Sequence, residues 1–358
     1  MKRIVSLSLV SLACACQMAV PDAHPQGAQN ARPGYPPPQG YAPGYPPPGA
    51  PAPYGVPPYG APAPGPGAPA PVPLPAPAPA PLPGAPSPTP GRPLLGPLVG
   101  ALMWQAEVRA VVVELESHLS DEQRRLVTGV PLVFDPSPTE GNAFAGCDDS
   151  GSPFVAGTEG LLEAIDAIAQ TRATDEVFRT STYDAYTRAV LPQLVSSQTA
   201  MPGLPANIIP LNLWPDARRT SRAHEMFDEI AAFTFGHELA HHYRGHTGCA
   251  HGQPADVVPT LGDLRRKASQ VPWINQLNET EADNYGCIDV LATGRARQAT
   301  GLRWTEEGGL WLFDFFSRLD AAAGANPLVG FLRTHPAPGL RIPAVQLDAT
   351  AWRLLNPG

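Results

Sequence analysis

His237-Glu238-Leu239-Ala240-His241 is the part of this sequence whose residue types and spacing are fitted to chemistry. On an α-helix, residues four apart lie on one face, one turn up, so both imidazoles reach a single metal ion. Glu238 points in a neighbouring direction, where its carboxylate can take a proton from a water held by that ion. Zinc lowers the pKa of such a water toward about 7, which makes a nucleophile available at neutral pH. The bland alternative is a polar helix face carrying two solvated histidines. Ile230, Ala231, Ala232, Phe233 and Phe235 run just ahead of the motif and predict a buried segment instead.

A catalytic zinc needs a third protein ligand and an open fourth position. His246 would serve in the pattern H-E-x-x-H-x-x-G-x-x-H, but the required positions hold Arg244 and Thr247, with Gly245 and His246 out of register. Asn278-Glu279-Thr280-Glu281-Ala282-Asp283 is the better source. Glu279 and Asp283 share a helix face. Glu279 is the expected third ligand, and Asp283 reaches toward the first helix, where it can hydrogen-bond a ligating histidine. Glu281 falls about 200° round that helix and is expected to face solvent. An acidic helical surface is the plain alternative for this segment. His242, one position off the ligand face, is expected to face solvent or to support a ligand. His118, His224, His246 and His251 receive no role.

The elements that must position these groups are legible in part. Apolar residues at helical spacing mark Trp104 to Leu119, and Val130 to Phe134, Asn142 to Ala145 and Pro153 to Ala156 look like short strands. Thr158 is a plausible N-cap for a helix to about Gln170. Helices are expected from Ser221 to Tyr243, over Glu279 to Leu291, and from Glu306 to Ala323. Arg172 to Ala217 contains several prolines and resists assignment. The fold class is therefore mostly α with a small β-sheet (α+β), in a domain spanning residues 98–358.

What precedes that domain has a different composition. About thirty of the 47 prolines lie between Pro21 and Pro97, in a stretch with almost no charge, so 21–97 is expected to be a disordered, solvated linker. At ~3.1 Å per residue in polyproline II form, it would reach on the order of 200 Å. Residues 1–20 look like an export signal: Lys2 and Arg3, an apolar run from Ile4 to Leu12, then small residues. Cys14 or Cys16 is a candidate lipid-anchoring cysteine, which puts the protein in a bacterial cell envelope or outside the cell. Removing the five charged residues before position 98 leaves 20 basic and 31 acidic residues, a balance of −11. That excludes nucleic acid as a partner, because phosphate contacts need clustered Lys and Arg. Three cysteines remain, Cys147, Cys249 and Cys287. Spacing does not fix their connectivity; a Cys249–Cys287 link, tying the end of the first metal-binding helix to the second, is the expected pairing.

Five places now stand in one order: Asn142-Ala143-Phe144-Ala145; Gly157-Thr158-Glu159-Gly160-Leu161-Leu162; His237 to His241; Glu279 to Asp283; and Thr334-His335-Pro336 with Arg341-Ile342. The set resembles the zinc metallopeptidases typified by the CAAX prenyl protease, the heat-shock membrane protease HtpX and their periplasmic relatives. The resemblance implies a zincin-like domain holding one zinc per chain, with Glu279 a ligand and Asp283 supporting a ligand or donating a proton. It implies that Asn142 to Ala145 is an active-site edge strand, able to bind a protein or peptide substrate by strand addition. His335 is then a transition-state donor or a removable fourth ligand, or else a structural residue before Pro336. Arg341 pairs with a carboxylate near the site or lies at the surface. About 75 residues separate Leu162 from His237, longer than is usual in that family. The expected function is zinc-dependent endopeptidase action on envelope or extracellular proteins, with Glu238 the general base and Asp283 and His335 in support. The competing class is a zinc-stabilised scaffold or chaperone-like protein whose metal stays fully ligated.

Overall fold

The computed structural model describes residues 94–148, 150–197, 199–249, 276–324 and 338–357. The expected signal, nearly all of the expected linker, His251 and His335 lie outside the described residues. Within them, eight α-helices surround a three-stranded sheet. The expected mostly helical α+β class is the one observed.

The sheet comprises β1 (Leu132–Asp135), β2 (Ala143–Cys147) and β3 (Pro153–Thr158), in the order β1-β3-β2. β1 runs parallel to β3 and β2 antiparallel. Every residue of β3 is buried, and its unbroken apolar reading is what a strand covered on both faces requires. β2 pairs on one side only among the described residues, so it is an edge strand there. Thr158 links the sheet to the helices. Its Oγ1 accepts from Leu161 N at 3.2 Å as the expected N-cap, and also from Asn142 N at 3.0 Å. Its own N donates to Asn142 O at 3.0 Å. The start of the edge strand is thereby pinned to the start of a core helix.

The helices are α1 (Ala101–His118), α2 (Asp121–Val127), α3 (Glu159–Phe178), α4 (Thr182–Ser196), α5 (Ala217–Tyr243), α6 (Gln276–Ala296), α7 (Glu307–Ala323) and α8 (Pro338–Leu355). α5 is the axis of the domain. Residues Glu225 to Tyr243 are buried without interruption, the signature of a helix surrounded by others. α3, α6, α7 and α1 all pack on it. It begins earlier than the apolar pattern implies because Asp216 caps it, accepting from Arg218 N at 2.9 Å and Arg219 N at 3.3 Å. The stretch that resisted assignment holds the end of α3 and all of α4, which contains Pro192 in its C-terminal half. Proline inside a helix removes a donor and reads as a breaker. Pro343 has the same effect on α8. Among the described residues no helix is long and apolar enough to cross a membrane.

The cysteine expectation is overturned. Cys147, at the end of β2, is bonded to Cys249, with a Cα–Cα distance of 5.9 Å, while Cys287 is a buried free thiol. Cys287 lies on α6 among core residues, where burial raises its pKa. The bond joins the edge strand to the segment just after α5, across 102 residues. Closing a loop of that length removes on the order of 5 kcal/mol of unfolded-chain entropy. Replacing both cysteines by serine is therefore expected to lower unfolding free energy by about 2–5 kcal/mol in denaturant titrations under oxidising conditions. A change below about 1 kcal/mol would mean that the pair contributes no such constraint.

Candidate metal centre

Two helices supply the centre. α5 presents His237, Glu238 and His241, and α6 presents Glu279 and Asp283. Their close approach depends on glycine. A Cβ on Gly286 of α6 would sit 2.9 Å from His237 N and 3.1 Å from its Cα, too close for any side chain, whereas one on Gly236 would make only ordinary contact, 3.6 Å from Gly286 O. Without side chains at that crossing, the α6 backbone lies against α5 at the first histidine. Glu279 and Asp283, nearly two turns and one turn earlier on α6, then face the two imidazoles.

The donor atoms converge. His237 Nε2 and His241 Nε2 are 3.0 Å apart, and the Glu279 oxygens lie 3.5 Å and 3.3 Å from them. Ligand atoms about 2.1 Å from a tetrahedral zinc stand about 3.4 Å apart, so the spacing matches that of a bound ion. All three side chains are nearly inaccessible. Among the described residues this buried His237, His241 and Glu279 cluster can hold a metal ion.

Hydrogen bonds on the far side of each ring turn the donors inward. His237 Nδ1 donates to Asp283 Oδ1 at 2.9 Å. His241 Nδ1 lies 2.9 Å from His246 Nδ1, and His246 Nε2 lies 2.9 Å from Glu281 Oε2. A carboxylate only accepts, so His246 carries its proton on Nε2 and accepts at Nδ1. His241 must then donate from Nδ1. With Nδ1 so engaged, each ring turns Nε2 toward the same point, the orientation in which both can ligate one cation.

Charge points the same way. Burial alone would push the His237 pKa down, but hydrogen bonds and charge from Asp283 and Glu279 outweigh it and lift it to about 10. The pocket stabilises positive charge at this position, and a metal cation supplies it without protonating a ligand. Asp283 remains ionised. Burial opposes its charge, but Arg341, with His237 in support, holds its pKa below the usual carboxylate value. Arg341 Nε and Nη2 grip its two oxygens at 2.6 and 2.5 Å, and the guanidinium lies 4.5 Å from the Phe313 ring centroid. Arg341 is thus a buried partner of a carboxylate beside the site, the first of its two sequence-based alternatives. The Asp283–Arg341 charges cancel, which leaves Glu238 and Glu279 as the carboxylates that a divalent ion would balance.

Glu238 is buried and lines a cavity of about 20 Å³ together with His237, Ala143, Phe313 and Arg341. That is room for about one water molecule. Ala143 belongs to β2, so the edge strand reaches the same spot.

Three outcomes differ from the sequence reading. His242 is not solvent-facing: it is fully buried, with Nε2 2.9 Å from Phe154 O and Nδ1 3.0 Å from Thr247 Oγ1. It ties α5 to β3, and burial lowers its pKa to about 4 despite the bond to Phe154. Glu281 is half-exposed, but its carboxylate also accepts from Arg244 at 2.9 Å and His246 at 2.9 Å. His246, out of register as a ligand, instead holds His241 in place. Gly245 adopts φ 77°, and this left-handed turn at the end of α5 folds His246 back beside His241. The glycine directly before His246 was the available sequence signal.

Compared with known proteins, the chain matches no protein-family model, no curated protein and no solved structure.

Proposed function

We propose that this chain is a zinc-dependent metalloendopeptidase, of the kind that its sequence resembles. One observation carries the reading: His237, one of three converging buried donors, lines a cavity sized for a water molecule together with the Glu238 carboxylate and Ala143 of the edge strand. His237, His241 and Glu279 would hold the metal. Zinc is favoured over other ions because two imidazoles and one carboxylate are a common ligand set for it. Bound zinc supplies Lewis acidity to the attacking water and to the scissile carbonyl.

The remaining work falls to the chain itself. β2, at the edge of the sheet among the described residues, would align an extended peptide that runs past Ala143 and brings a scissile bond beside Glu238. Glu238 takes the proton from the attacking water and returns it to the leaving amine. Asp283 holds the orientation of His237, and His246 that of His241. Leu312, Phe313 and Phe233 wall the cavity and keep bulk water from competing with substrate. The Cys147–Cys249 disulfide suits an oxidising compartment, in keeping with export to a cell envelope through the signal at residues 1–20 and an anchor at Cys14 or Cys16.

The test is zinc content of the purified full chain beside Glu279→Ala, with folding checked by circular dichroism. The variant is expected to hold one zinc fewer per chain. Equal content in both would remove Glu279 from the ligand set and the peptidase reading with it.

A further inference from the structure

A second group of converging donors lies toward the N-terminal end of α5, away from Glu238. His224 and Asp228 stand one turn apart on α5, and Glu107 projects from α1. His224 Nε2 is 3.2 Å from Glu107 Oε1 and 3.7 Å from Asp228 Oδ1. One donor atom from each of the three fits within 4.8 Å.

The ring orientation repeats the logic of the first site. His224 Nδ1 lies 2.7 Å from the carbonyl oxygen of Gly96. A carbonyl only accepts, so Nδ1 carries a proton and Nε2 is the atom turned toward the two carboxylates; Glu107 and Asp228 favour positive charge there, which a proton supplies in the free protein and a metal cation would supply in its place.

Asp228 supplies an independent sign. The residue is 3 % exposed, and Oδ1, the atom facing His224, accepts no hydrogen bond. A buried carboxylate oxygen left without a partner is costly. A cavity of about 290 Å³ lies against Asp228, bordered by Glu229, Arg297 and Trp304, and gives space for waters to complete a coordination shell. Arg297 is the nearby cation, but its Nε pairs with Glu114 at 3.0 Å and its guanidinium lies 4.1 Å from the Trp304 ring centroid. It still favours the charged forms of Glu107 and Asp228 from that position, but it donates no hydrogen bond to either.

We propose that Glu107, His224 and Asp228 bind a second divalent transition-metal ion of the zinc class, separate from the His237 centre. Two carboxylates and a neutral imidazole balance a divalent cation, and the mixed N and O donors suit zinc. The ion would staple α1, and the chain leading into it at Gly96, to the helix that carries the HExxH motif. Its role is structural, and it does not depend on the peptidase reading.

The experiment measures zinc in the full chain after saturation and desalting, for the wild type, Asp228→Asn, Glu279→Ala and the double variant. Two ions, one, one and none are expected. Zinc content unchanged by Asp228→Asn overturns the second site, whatever Glu279→Ala does. Loss with Asp228→Asn but not with Glu279→Ala upholds it while removing the first. His224→Gln guards against misfolding of the aspartate variant. Titrated with Co2+, it should lose one equivalent of visible absorption relative to wild type; an unchanged titration counts equally against the site.

Discussion

Glu238→Gln is expected to reduce peptide hydrolysis by about 10²–10⁴-fold while leaving metal content and thermal stability unchanged. Glutamine preserves the volume of the side chain, so the cavity shared with His237 and Ala143 keeps its shape. It cannot take a proton, so in the proposed reaction the attacking water loses its base. Glu238 is not one of the three converging donors, and the ion should stay. The readout is cleavage of an unstructured protein substrate, followed by mass spectrometry, with zinc content measured on the same preparations. Cleavage at wild-type rates would exclude Glu238 as the base. Parallel loss of zinc would mean that the carboxylate holds the ion, and the mechanism would need a different base.

The largest stability effect is expected at Arg341. Arg341→Met keeps most of the packing against Phe313 but leaves Asp283, which is 0 % exposed, ionised without its main partner. Breaking a buried pair in this way costs about 3–5 kcal/mol. For a domain of this size each kcal/mol moves Tm by about 2–4 °C, so a drop of roughly 6–20 °C should appear in a thermal scan. Adding Asp283→Asn to the same chain should recover part of that loss, because the stranded charge goes with it. The recovered stability should come without recovered zinc affinity, since asparagine is a weaker partner for His237 Nδ1; the loss in affinity is expected at about 10–100-fold. A shift below about 2 °C for Arg341→Met would mean that water or another group already satisfies Asp283.

Much of the site was written into local spacing. His237 and His241 share a face because an α-helix repeats every 3.6 residues, and the same rule pairs Glu279 with Asp283. The Thr158 cap and the positions of the three strands also follow from patterns a few residues long. Such features depend on a single element's backbone geometry and need no knowledge of its neighbours. The prolines that obscured α4 and α8 show the limit of that local reading, because packing kept both helices intact around Pro192 and Pro343.

The sequence motifs already paired Glu279 and Asp283 with the histidine helix, but how the elements reach one another was decided by the tertiary structure. Glu279 meets the histidines because Gly286 lets α6 lie against α5 at His237, and a single glycine carries no periodic signal. His242 looked like a surface residue on its own helix and became a core residue because β3 lies against it. Cys249 found Cys147 rather than Cys287 because the end of β2 passes the end of α5. The sequence alone determined which side chains could act together within a helix. Only the packing of helices against one another, and against the sheet, decided which of them meet across elements, because those distances depend on chain crossings that no short-range repeat encodes.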